Sequence, residues 1–142
     1  MNFADTNWLA VVAATLIIFI LGAIWYGPKT LYPIWWKLMG HELKRVENPA
    51  DSMAKVFGLT GIGAFVQALF LSVTIHSLEV STLTAGLFTG LVIGIGFTAA
   101  PALSHRMFAN AHFNRNGVKI WAIETFPDVF NLAIAGALLA IW

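Results

Sequence analysis

Glu124 and Asp128 interrupt an otherwise apolar run from 118 to 142, and they are the residues best placed to do chemistry. Trp121, Glu124, Asp128 and Asn131 recur at steps of three and four, so a helix would carry all four on one face. At about 1.5 Å per residue from Lys119, Glu124 lies roughly 8 Å along and Asp128 roughly 13 Å. The hydrocarbon half-thickness is about 15 Å, so Asp128 approaches a bilayer midplane. An isolated carboxylate there costs at least about 3 kcal/mol. It must therefore face a bundle interior and find a partner, or hold a proton.

Partners come from the end of the preceding apolar run, where Ser104, His105 and Arg106 follow Pro101. Arg106 can fork onto Glu124, and His105 can titrate near neutral pH beside either acid. Trp25, Tyr26 and Trp121 are placed to line a pocket facing the cytoplasm. Three chemistries fit this face. One is a structural ion pair or hydrogen-bonded network that fixes helix packing. The second is a site for a proton, an ion or a small polar ligand. The third, a metal site from His105, His112, Glu124 and Asp128, lacks a tight ligand motif, so neither a metal nor a cofactor is expected. Pro127 either kinks a helix begun near Val118 or opens a shorter one. Lys119 and Trp121 look like interface anchors and favour the longer, kinked helix.

The elements that must position these residues follow from composition. The chain has 142 residues, enough for one domain, of which 58% are hydrophobic and 11% charged. Soluble domains carry about 25% charged residues, so there is too little polar surface here for water. A net charge of +1 and the lack of any basic run or stacking motif exclude nucleic acid as a partner. Cysteine is absent, which excludes disulfides and thiolate chemistry. Residues 8–26, 56–76, 82–104 and 118–142 are each long and apolar enough to span a bilayer, and in lipid such runs must be helices. Residues 1–7 contain no Lys or Arg, and the first run ends in Trp-Tyr-Gly-Pro without a cleavage signature, so it reads as a retained span. The fold class is therefore all-α, an integral membrane four-helix bundle.

Orientation follows from the eight basic residues. Lys29, Lys37, Lys44, Arg45 and Lys55 lie between spans one and two; Arg106, Arg115 and Lys119 lie between spans three and four. All fall on one side, which the positive-inside rule makes cytoplasmic, with both termini on the other. Each Trp and Tyr falls near a proposed span end or in the first basic loop, which agrees with these boundaries. In that loop Pro33 can open a short interfacial helix with Ile34, Trp35, Leu38 and Met39 on its apolar side. Asp51 or Ser52 can cap span two.

Span three repeats small residues at every fourth position through Gly86, Gly90, Gly94 and Thr98. Close backbone approach drives helix association in lipid, so this stripe is a packing face within the bundle or an interface with another subunit.

Three short motifs carry a resemblance. Trp25-Tyr26-Gly27-Pro28 ends span one, Trp36-Lys37-Leu38-Met39-Gly40 lies in the first loop, and the last span runs from Trp121 to Trp142. In these the chain resembles the bacterial family known as domain of unknown function 1761. The resemblance covers most of the chain and implies four spans in a bacterial inner membrane, with no activity attached. Glu124, Asp128 and Pro127 are not part of that resemblance.

Function is expected to be that of a non-enzymatic accessory or structural subunit, partnered by the lipid bilayer and by itself or other membrane subunits. A small transporter or proton-coupled channel using Glu124 and Asp128 is the second reading. A membrane enzyme with a cytoplasm-facing pocket is the third.

Overall fold

A computed structural model of the chain describes residues 6–40, 50–109 and 116–142. Among these it is helical, without a strand. In order come α1 (Trp8–Trp25), a short α2 (Tyr32–Leu38), α3 (Ala50–Ser77) and α4 (Leu83–Ile93). A π-helix (Gly94–Ala99) then leads directly into α5 (Ala100–Ala109), and α6 (Gly117–Ile141) follows. Four stretches are long and apolar enough to cross a membrane: Trp8–Trp25, Met53–Ser77, Leu83–Phe108 and Gly117–Ile141. The chain is a multi-pass membrane protein. Lys44, Arg45, His112, Arg115 and the side chains of Asp51 and Ser52 lie outside the described residues.

Side chains close the starts of α1 and α4, where backbone N–H groups have no helical partner. The Asn7 carboxamide accepts from the Ala10 N–H at 3.2 Å, and the Thr82 hydroxyl accepts from the Ala85 N–H at 3.3 Å. At the other end of α1, the Thr30 hydroxyl lies 2.6 Å from the Ile24 carbonyl and 2.7 Å from that of Trp25. Gly40, at φ +83°, sits just past α2 in the left-handed conformation that glycine adopts most readily. The Asn7 Nδ2 also donates to the Trp142 backbone oxygen at 3.3 Å. The start of α1 and the end of α6 therefore share one end of the bundle. The opposite end, where α1 stops and α6 begins, carries Lys29, Lys37, Arg106 and Lys119 and is called the basic end below.

The most polar span lies at the centre. Half of the apolar window of α6 is buried, against 22–28% for the other three spans. Its closest neighbour is α4, which runs antiparallel to it. A Cβ at Gly86 would collide with the backbone of Gly136 and with Ala140, and one at Gly90 with the backbone of Leu132. At Gly94 it would lie 2.9 Å from Val129 Cα. The small-residue stripe is thus spent on contact within the chain.

The stripe also changes period. After Gly86, Gly90 and Gly94, the next buried member is Ala99 and not Thr98, which is only half-buried. The cause is the π-helix, in which the Ala100 N–H bonds to the Ile95 carbonyl five residues back. Pro101 follows at once. Its ring would press on the carbonyl four residues earlier in a regular helix, and the wide turn relieves that contact.

Pro127 is handled differently, since α6 runs unbroken through it. Its missing N–H leaves the Ile123 carbonyl without a helical donor, and the Tyr26 hydroxyl approaches that oxygen at 3.5 Å, a long and weak hydrogen bond.

A Gly90→Ala variant should lose about 1–3 kcal/mol to overpacking against Leu132. Gly58→Ala, where nothing lies within 4 Å of the added methyl, should be neutral or slightly stabilising. Thermal unfolding of both variants in one detergent checks the contrast.

Candidate functional site

The two carboxylates of α6 have separate surroundings. Glu124 is the hub of an ion-paired cluster. The Arg106 Nε donates to its Oε2 at 2.9 Å, and the Arg106 Nη2 pairs with its Oε1. The Trp35 indole N–H donates to the same Oε1 at 2.8 Å. Helical side chains lean toward the N-terminus of their own helix. In antiparallel α5 and α6 that lean carries Arg106 inward and Glu124 outward, so the two converge. Both are about three-quarters buried, at 23% exposure. Arg106 Nη1 also lies 3.7 Å from the Met39 sulfur, so the cluster ties α2 and the residue after it to α5 and α6. Rings of Tyr26, Tyr32, Trp35 and Trp36 pack around the cluster with centroids 5.5–6.2 Å apart.

Asp128 lies one turn deeper, near the middle of α6. Counting eleven residues from Gly117, it is about 17 Å along a helix of roughly 37 Å. Among the described residues it has neither a hydrogen-bond nor an ion-pair partner. It borders a cavity of about 440 Å³ between α1, α3 and α6. Asn131, one turn further on, is 2% exposed and lines the same cavity, and its Oδ1 is buried without a hydrogen-bond partner among the described residues. Gln67 and Thr60 of α3 and Tyr26 at the end of α1 complete the polar lining. The rest is apolar, chiefly Ile18, Phe19, Val56, Phe57 and Ala64.

The cavity exists because α1 and α3 diverge toward the basic end. In the far half of α3, Ala64, Ala68, Leu71 and Ile75 are buried in the core. Every described side chain from Met53 to Thr60 is exposed. Val56, Phe57 and Thr60 are both lining and exposed, so the cavity is open on that side.

The site residues inferred from sequence are thus divided between places. Arg106 reaches Glu124. His105 is exposed, with no hydrogen bond or ion pair to either acid among the described residues. Of the three aromatic residues considered for a pocket, Tyr26 lines the cavity. Trp25 instead packs edge-on against Phe126 and Phe130, with centroids 5.7 and 5.9 Å away. Trp121 donates its indole N–H to the Ala99 carbonyl at 2.7 Å, securing the end of the π-helix. No three His, Asp or Glu side chains gather as a metal would require among the described residues, which do not include His112. Sequence reasoning missed Trp35 as a partner of Glu124 and the α1–α3 wall of the cavity. Gln67, the most polar residue in its span, was the available signal for that wall.

Comparison with known proteins adds one match. A family model described as protein of unknown function, DUF1761, matches residues 9–140. Neither a curated protein nor a solved structure matches the chain.

Replacing Arg106 with Met should destabilise the fold by about 1–3 kcal/mol, because it leaves the Glu124 charge partly buried and uncompensated. Trp35→Phe removes one donor and keeps a ring, so it should cost only about 1 kcal/mol. Paired unfolding curves in detergent test that order.

Proposed function

Because the chain belongs to the DUF1761 family of proteins of unknown function, we propose its role from the cavity alone: a small membrane transporter whose binding group is Asp128. The observation that carries this reading is a carboxylate halfway through a membrane span, bordering an open cavity beside a buried Asn131 oxygen, neither with a partner among the described residues. Ionisable groups at such depth are costly, and a purely structural role would be served by pairing them, as Glu124 is paired. The positive-inside rule puts the basic end in the cytoplasm, so the cavity would fill from that side. The two acids then have different duties. Glu124 holds the cytoplasmic end together, and Asp128 takes up the proton or solute.

Proteoliposomes loaded with a pH-sensitive dye provide the test. Asp128→Asn should reduce proton-coupled flux at least about tenfold, whereas Glu124→Gln should lower thermal stability and leave Asp128-dependent flux measurable. Flux that is unchanged in Asp128→Asn would remove the transport reading.

A second reading, an accessory subunit, is favoured by the α3 residues Met53–Thr60, whose side chains are all exposed. It predicts that gentle detergent extraction brings other membrane subunits, or further copies of the chain, down with the protein in fixed ratio.

A further inference from the structure

The chemistry of the cavity wall identifies a ligand class, an inference that rests on the transport reading of the same site. Two side chains of the lining offer hydrogen-bond acceptors that have no donor among the described residues. Asp128 offers a carboxylate without a partner among the described residues. The Asn131 Oδ1 is buried and unpartnered. Buried acceptors left in this state are costly unless a donor arrives. A ligand that satisfies them must bring several N–H or O–H groups and a positive charge.

The remainder of the wall restricts the choice. Ile18, Phe19, Val56, Phe57 and Ala64 form an apolar chamber, with the rings of Phe19 and Phe57 edge to face at 6.2 Å. Among the described residues no three His, Asp or Glu side chains gather as a divalent metal would require, and the lining holds a single carboxylate. A proton alone needs no chamber of about 440 Å³. That volume lies in the range that encloses an organic molecule, and aromatic faces attract organic cations. We infer that the cavity binds a primary ammonium with an apolar body, its nitrogen at Asp128 and Asn131 and its body against the Phe19–Phe57 pair.

Purified full-length protein in phosphatidylcholine nanodiscs can be titrated calorimetrically with phenethylammonium. Binding should weaken at least about tenfold for 2-phenylethanol, which has the same body without the charge, and for benzyltrimethylammonium, which has the charge without N–H donors. Asp128→Asn, nearly isosteric, should weaken phenethylammonium by a similar factor while unfolding at the wild-type temperature. Sodium or potassium at matched ionic strength should not displace the amine. Repeating the titration in phosphatidylethanolamine nanodiscs separates two sources of the same group. Competition there identifies a lipid headgroup as the natural ammonium, and its absence identifies a soluble amine. Equal binding of 2-phenylethanol, or binding that Asp128→Asn leaves intact, overturns the inference. If no amine binds while proton flux still depends on Asp128, the ligand class falls and the transport reading stands.

Discussion

The backbones of α4 and α6 lie directly against each other, because Gly86, Gly90 and Gly94 have no side chain to separate them. The other features of the fold depend on this contact. Lipid tails are as apolar as leucine, so two helices associate there only by packing more closely than lipid can. The contact draws α6 to the centre, and the centre is where a helix carrying Glu124, Asp128 and Asn131 can be tolerated. It also sets the register that brings α5 beside the first turns of α6. The polar face of α6 is therefore a consequence of glycines on another helix.

Within that frame the two acids illustrate opposite solutions to one problem. Glu124, nearer the basic end, is neutralised by an arginine fork and an indole N–H, so its charge is compensated where it is buried. Asp128, nearer the middle, has no such compensation among the described residues and borders open space. Two carboxylates four residues apart on one helix thus differ because Arg106 reaches as far as the first and stops there. The same division explains why the aromatic residues separate. Trp35 serves the paired acid, Tyr26 lines the cavity of the unpaired one, and Trp121 secures the π-helix beside both.

Much of this was legible from residue types. Long apolar runs require helices, so the four crossings follow from hydropathy alone, and the Arg106–Glu124 pair follows from antiparallel neighbours with opposite charge. The part that was not legible depends on angles between helices. The divergence of α1 and α3 leaves no mark in either sequence, since an apolar residue facing lipid and one facing a cavity are the same residue. For this reason Phe19 and Phe57 could not be assigned to a wall, and Trp25, which faces Phe126 and Phe130, was placed in a pocket it does not line. The move from Thr98 to Ala99 was likewise hidden. Fourfold spacing predicts the next contact only while the helix keeps its period, and Pro101 was the sign that it would not.

The π-helix has one effect that reaches beyond its own six residues. One extra residue in a turn rotates everything after it by about 100° about the helix axis. The wide turn therefore sets the phase of α5 relative to α4, as an offset tooth sets one gear against another. Glycine contacts above the turn and the arginine fork below it would not otherwise face the same partner. Wound as an ordinary helix, the same residues would leave both groups chemically intact yet turn Arg106 about 100° away from Glu124, whereas deleting a single residue between Gly94 and Ala99 would restore both the ordinary helix and the phase. The ion pair that joins α2, α5 and α6 is in this sense governed by a turn that touches neither of its members.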